Sequence, residues 1–449
     1  MGHLTSRSYQ ALQRRLDQAP QGAPASETLS KLLDVLFTEE EAQVVSIIPI
    51  NLFTIDEAAR LLKKSCLDTR PILDTLADKG ILFDFATGTT QAYLLAPTMA
   101  GFFEFSLMRL DGRFDKRLLS ELYYQYINTE EDFTRSLITL EPSPGRAFVE
   151  EDTIEVEDRV VVLDYERASH VVNTATCITV GICYCRHKLQ RLGKACDNPQ
   201  EVCLSFNKSA ESLAKHGIAR QISQSQAHRV LQQCMELGLV HIGDNVQEGV
   251  NWICNCCSCC CDVLVAYRKL GYNARITTNF VSAQARGTCT ACSACVNQCP
   301  VNAVKLGKDA KGNDQAIVDE SRCIGCGVCV RFCKAGSLAM VRRKETAFVP
   351  KDSFERIILS AANAGKLQNF LFDNYTLLSH NVLRRFFRVF LSLTPAKRLL
   401  VQRQVRSRFM AALTRTDQYT LFDRLYNHGQ RPDYSHPELK CSKGQTQRI

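Results

Sequence analysis

The sequence predicts an α+β protein of several domains, and three observations carry that expectation. The 449 residues suit two to four domains. Helical spacing of apolar residues dominates the first hundred residues and the last hundred, with strand-like runs between them. The third is the 22 cysteines, most of them crowded between residues 183 and 333. The rest of the composition, 45% hydrophobic and 23% charged, is ordinary for a globular chain.

Residues 1–25 end in a Pro/Gly/Ala stretch and read as a flexible leader with no apolar core of a secretory signal. Across 26–100, Leu29, Leu32, Leu33 and Leu36 recur at helical spacing behind Ser26 as a cap. Thr54 and Glu57 make a capping box for a second helix through Leu62. A third helix over 68–79 is stopped by Gly80, and 81–83 can pair with 93–95 as a hairpin. This order of elements resembles a winged helix-turn-helix domain.

Residues 101–149 form an aromatic-rich helical connector ending near Pro142, Pro144 and Gly145. A cysteine-rich α/β region follows over 150–275. It opens on strand-like runs at 153–157 and 160–165, and 218–244 reads as helix, turn, helix, strand, with Ser223 as a cap and Gly238 as a stop. Residues 281–345, which hold two regularly spaced cysteine runs, form the next segment. Residues 350–430 form a basic helical tail with 13 Lys+Arg against 5 Asp+Glu, and 431–449 a flexible terminus. That excess equals the whole chain's formal charge of +8 and suits an acidic protein surface.

With no export signal, cysteine density points to metal or redox chemistry rather than a disulfide framework. No run approaches the roughly 18 apolar residues of a membrane span. The expected location is the cytoplasm.

Two runs have the spacing of cubane ligands. Cys289, Cys292, Cys295 and Cys299 form one C-x2-C-x2-C-x3-C run, closed by Pro300, and Cys323, Cys326, Cys329 and Cys333 form the other. Three closely spaced thiolates wrap one cluster and the fourth cysteine of each run reaches the other cluster. Cys289, Cys292, Cys295 and Cys333 then hold one [4Fe-4S] cluster, and Cys323, Cys326, Cys329 and Cys299 a second. Structural zinc prefers one four-cysteine set with longer gaps. The segment resembles the two-cluster bacterial ferredoxins, whose fold is a pair of pseudo-symmetric β-α-β halves. The resemblance implies flanking strands at 316–318 and 338–341, and electron exchange with redox partner proteins. Gly325 and Gly327 let backbone N–H groups approach cluster sulfurs. Lys334 stands where that family often has proline.

Ten further cysteines form a second field. Cys183, Cys185, Cys196 and Cys203 come first, and Cys254, Cys256, Cys257, Cys259, Cys260 and Cys261 crowd into eight residues some 50 positions later. Soft thiolates at this density suit an additional iron–sulfur centre, zinc, or a redox-active dithiol. Neither segment alone offers a clean four-ligand set, so the two are expected to meet in space and share at least one metal centre. Cys185, Cys196, Cys203 and Cys256 are the first choices for it. His187 reads as a neighbour of ligands rather than a ligand, and Cys66 and Cys441 as unliganded. The pattern C-x-C-R-H, then C-x6-C, then I-C-N-C-C-x-C-C-C resembles an uncharacterised family of multidomain ferredoxin-like proteins of anaerobes, which implies iron–sulfur electron transfer and little else.

Two other functions are compatible with parts of the sequence. A redox-sensing transcriptional regulator would read DNA through the winged helix, yet 30–100 carries 6 Lys+Arg against 10 Asp+Glu, the wrong sign for phosphates. DNA is therefore not an expected partner. An oxidoreductase subunit would need a catalytic centre; no G-x-G-x-x-G, P-loop or C-x3-C-x2-C motif is legible, leaving the second cysteine field as the place for catalysis. An electron carrier fits better than an enzyme.

Overall fold

The computed structural model describes residues 6–87, 90–154, 163–270, 276–285 and 287–371. The chain is mixed helix and sheet, as expected. Most of the tail expected over 350–430, the terminus after it and Cys441 lie outside the described residues, as do parts of the strand-like runs at 153–157 and 160–165. The described pieces of those two runs are single turns, Glu151–Thr153 and Asp164–Glu166.

The amino-terminal leader is corrected. Arg7–Asp17 is a helix capped by the Ser6 hydroxyl, which accepts from the Ser8 N–H. Leu12 and Leu16, one turn apart, are buried against the helix Glu39–Ile47, and the Arg15 guanidinium donates to the Ile48 carbonyl at 2.5 Å. The polar residues between them masked an apolar stripe that needs this partner.

The helices Glu27–Leu36, Ile55–Leu62 and Cys66–Asp78 begin at Ser26, Thr54 and Ser65, with the capping box of Thr54 and Glu57 formed. Gly80, at φ +76°, releases the chain into the hairpin Leu82–Thr87 and Thr90–Leu95, to which Phe53–Thr54 adds a short third strand. The hairpin is not free. Its Asp84 accepts from Ser212, Lys215 and His216 on and just after the helix Asn207–Lys215. One large core of leucine and phenylalanine runs from Leu12 to Phe133 and takes in Tyr184, Leu213 and Ile218.

The central sheet has six antiparallel strands in the order Gly145–Ala147, Val240–Asp244, Trp252–Cys256, Glu201–Phe206, Ile178–Ile182 and Arg220–Gln221. Ser223 caps the helix Gln224–Glu236 through a full capping box with Gln226. The carboxy-terminal half of the described chain adds two two-stranded antiparallel sheets, Phe280–Gln284 with Leu338–Arg342 and the hairpin Val304–Lys308 with Asp314–Val318. Between them lie two short helices, Ala294–Gln298 and Val328–Arg331, packed on each other. Ser353–Asn363 and Leu367–Leu371 then return to the body, Arg356 reaching Asp244 at 3.1 Å and Asn51 donating to the Phe370 carbonyl. No helix among the described residues is long and apolar enough to cross a membrane.

Candidate metal centres

The segment 289–333 wraps each cysteine run around the start of a short helix. Cys295 lies in the first helix and Cys329 in the second; Cys299 and Cys333 follow their ends. Cys299 turns away and lines one apolar cavity with Cys323, Cys326 and Cys329, closed by Pro300, Ile324 and Met340. Cys333 and Cys289 lie close enough to Cys295 for their charges to raise its pKa, after burial, which raises it most. Burial likewise pushes the Cys329 thiol up to about 12. Buried thiols held as thiolates need a cation to offset that cost. Four sulfurs around a closed apolar space, with N–H groups of Ala291 and Ala303 aimed at Cys289 and Cys299, fit the cubane donor set. Cys292 is exposed, so the cluster it would bind lies nearest the surface.

The two glycines do more than admit N–H groups. Gly325 has φ +73°, and a side chain there would strike the Phe280 carbonyl at 2.0 Å. Gly327, at φ +93°, would meet Thr153 at 2.6 Å and Glu150 at 3.1 Å. Both sit where the segment docks on its neighbours. The Glu150 N–H donates to the Cys326 carbonyl at 3.0 Å, and its carboxylate pairs with Arg331 at 2.5 Å. Burial raises the Glu150 pKa to about 7 in spite of that cation. Arg268 donates to the Pro300 carbonyl at 2.5 Å and to the Ser258 carbonyl at 2.6 Å, tying the first run to the second cysteine field.

The two halves of that field do meet, through the sheet. Pairing of Glu201–Phe206 with Trp252–Cys256 brings Cys203 and Cys254 together, with Leu204 opposite Ile253. The span 218–244, expected as helix, turn, helix, strand, holds the short strand Arg220–Gln221, the single helix Gln224–Glu236 and the strand Val240–Asp244, so strand pairing rather than a helix-turn-helix joins the two halves. Cys183 follows the strand Ile178–Ile182 and occupies the N-cap position of the helix Tyr184–Arg191. The helix start turns Cys183 and Cys185 toward the same space.

The ten thiols fall into two groups. Cys196, Cys257, Cys259 and Cys260 have all four sulfurs within 4.8 Å of one another. Cys196 is 3.7 Å from Cys257 and 3.8 Å from Cys260, and Cys259 is 3.5 Å from Cys260. One cysteine comes from the first half and three from the second; of the first choices Cys185, Cys196, Cys203 and Cys256, only Cys196 is in this set. Asn198 donates to Cys196 at 3.3 Å.

The other six form a ring. Cys183 touches Cys185 and Cys203, Cys254 touches Cys203 and Cys256, and Cys261 touches Cys185 and Cys256. Hydrogen bonds from those neighbours hold Cys183 well below the usual thiol range and bring Cys254 to about 5 and Cys261 to about 6. The donors Cys185, Cys203 and Cys256 are pushed far up. The six side chains thus follow one another in a cycle. All six line a cavity of about 230 Å³.

Buried cations hold this arrangement. Arg186, fully buried, donates to the Pro199 and Asn255 carbonyls. Burial lowers its pKa, but the charges of Cys183 and Cys257 more than restore it. Arg186 therefore stands between ring and tetrad. Lys188, also fully buried, pairs with Asp262 at 2.6 Å and donates to Asn128 at 2.7 Å, locking the Cys185 helix to the helix that begins after Cys261. Nothing in the spacing of cysteines announced these two cations; the R and K of C-R-H-K were the available signal. His187 is no ligand. Its Nδ1 lies 2.6 Å from the Leu107 carbonyl, and its Nε2 accepts from Arg191 at 3.1 Å. Cys66 lies apart from every group, its thiol donating to Asp56 at 3.0 Å.

Glu104 lines the cavity too. Burial raises its pKa to about 7, although the N–H groups of Ala100 and Gly101 donate to its oxygens at 2.7 and 3.0 Å.

A family model described as a 4Fe-4S dicluster domain matches residues 288–337. That match covers the doubled C-x2-C-x2-C-x3-C segment and gives the protein a ferredoxin-like iron–sulfur domain with an electron-transfer role. No curated protein and no solved structure matches the chain.

Proposed function

We propose that this protein relays electrons between partner redox proteins through two [4Fe-4S] clusters in the ferredoxin-like domain and a further metal–sulfur centre in the second cysteine field. Cys289, Cys292, Cys295 and Cys333 would hold one cluster; Cys323, Cys326, Cys329 and Cys299 the other. Such clusters supply one-electron storage and transfer. The chain's own residues space them, exclude water and fix their charge. One observation carries the reading: Cys256 and Cys261 of the second field belong to the same packed apolar cluster as Cys295, Cys299, Cys323, Cys326 and Cys329. Electrons arriving near exposed Cys292 would have a dry, contiguous route inward. Anaerobic stopped-flow reduction by a low-potential one-electron donor tests it. The iron–sulfur absorbance should bleach in the intact protein and largely fail to do so in Cys292→Ala; an unchanged rate and iron content would remove the ligand assignment.

The cavity favours a second reading, an oxidoreductase subunit with its reaction at the second field, because Glu104 offers a proton beside thiolate-bound metal. The regulator reading loses support. Asp84 of the hairpin is bound to Ser212, Lys215 and His216, and Arg70 of the helix Cys66–Asp78 donates to Gln91 at 2.7 Å. A winged-helix-like amino-terminal part used as a structural platform suits these contacts better than DNA.

A further inference from the structure

The geometry points to two separate metal sites in the second cysteine field: a single tetrahedral divalent ion on Cys196, Cys257, Cys259 and Cys260, and a polynuclear iron–sulfur cluster inside the ring of Cys183, Cys185, Cys203, Cys254, Cys256 and Cys261. The inference rests on the relay reading for the chemistry of the ring, and on sulfur spacing alone for the tetrad.

Size separates the two. A metal–thiolate bond near 2.3 Å sets the edge of a sulfur tetrahedron at about 3.8 Å. The tetrad's contacts are 3.7, 3.8 and 3.5 Å. Four irons and four sulfides have no room inside a set whose sulfurs all lie within 4.8 Å of one another. Zinc and mononuclear iron share this chemistry. The neighbours are those a metal–thiolate site needs: Asn198 donates to Cys196, and buried Arg186 offsets the negative charge of four thiolates around a divalent ion.

The ring is a different object. Six sulfurs in one cycle exceed the four that a tetrahedral ion accepts. They line one part of a cavity of about 230 Å³, space which a bare ion does not require and a body of iron and sulfide does. Its other walls include apolar Phe105, Met108 and Leu204 as well as polar Glu104 and Asp262. The nearby cations are too few: Lys188 is spent on Asp262, which leaves Arg186. Buried thiolates without compensation are costly, and soft iron supplies it.

Metal and acid-labile sulfide analysis of the full chain, purified anaerobically, tests the division. Intact protein should hold one equivalent of zinc or sulfide-free iron, plus iron and sulfide beyond the eight of each that two cubanes contain. Cys196→Ser should lose the single ion and no sulfide. Cys203→Ser should lose several irons with matching sulfide and keep the ion. Cys292→Ser, the control in the ferredoxin-like domain, should lower iron and sulfide there while leaving both sites intact; its failure would sink the relay reading and not the division. Should either variant fold poorly, exposed Cys259→Ser replaces the first and Cys261→Ala the second. X-ray absorption at the zinc or iron edge tells the two ions apart. If Cys196→Ser and Cys203→Ser remove the same sulfide-containing centre, the field holds one site and the division is wrong. It is equally wrong if neither substitution changes metal or sulfide.

Discussion

The ferredoxin-like domain and the second cysteine field are both built from cysteine, yet they organise it in opposite ways. In the domain at 288–337 each set of three closely spaced cysteines is contiguous in the chain, and a short helix separates it from the fourth. In the second field the sets are assembled by sheet pairing, and neighbours in sequence part company. Cys256 faces the ring while Cys257 joins the tetrad. Sequence spacing defines a centre only when its ligands share one local turn; otherwise the backbone between them decides.

The largest effect expected from this contrast is at Cys326. It is buried beside Cys299, Cys323 and Cys329, so Cys326→Ala should remove one whole cubane, about half the iron of the domain, and stop most electron relay. Iron analysis with anaerobic turnover against a low-potential donor checks it. Full iron retention would break the comparison at its better-understood end.

Next comes the ion pair that aligns the second field. Lys188→Met leaves Asp262 charged and buried, which should cost about 3–5 kcal/mol, as breaking buried pairs does. Anaerobic thermal unfolding should show a markedly lower midpoint, together with metal loss from the ring, where Cys185 and Cys261 would separate. A smaller loss is expected at the docking contact between the regions. Arg331→Ala strips the partner from nearly buried Glu150, for roughly 1–3 kcal/mol.

The Glu104 carboxyl gives a milder, pH-dependent signal. Its folded pKa lies near 7, above the ordinary carboxyl value, so the folded state keeps its proton longer than the unfolded chain does. Stability should therefore decline as pH rises toward 7 and level off beyond it. Glu150 is raised to about 7 as well, so the infrared band of protonated carboxyls should fade with a midpoint near 7 and be weakened, with only the Glu150 share left, in Glu104→Gln. A band already lost at pH 6 would show a solvated carboxylate instead. The smallest effect is none at all: the intact protein should leave no footprint on duplex DNA at physiological salt. A sequence-specific footprint sensitive to oxidation would restore the regulator reading.

Much of this was legible in the sequence, and the physical reason differs by region. The caps at Ser26, Thr54 and Ser223 and the stops at Gly80 and Gly238 are local events, so their residues announce them. The strands at 316–318 and 338–341 followed from the resemblance carried by the doubled cysteine run. The helix Arg7–Asp17 was missed because its stripe of Leu12 and Leu16 has meaning only against a partner helix. That the two halves of the second field meet was expected; how they divide was not. The division depends on Cys183 standing at the N-cap position of a helix and on adjacent Cys259 and Cys260 lying in one group of four sulfurs, and neither shows in spacing.

Low-temperature EPR of the anaerobically reduced protein tests the central claim most directly. Two reduced [4Fe-4S] clusters in one small domain should give a broadened spectrum split by their magnetic interaction, and Cys326→Ala should simplify it to the signal of a single isolated cluster. A simple one-cluster spectrum in the intact protein, unchanged by that substitution, would contradict the two-cluster relay.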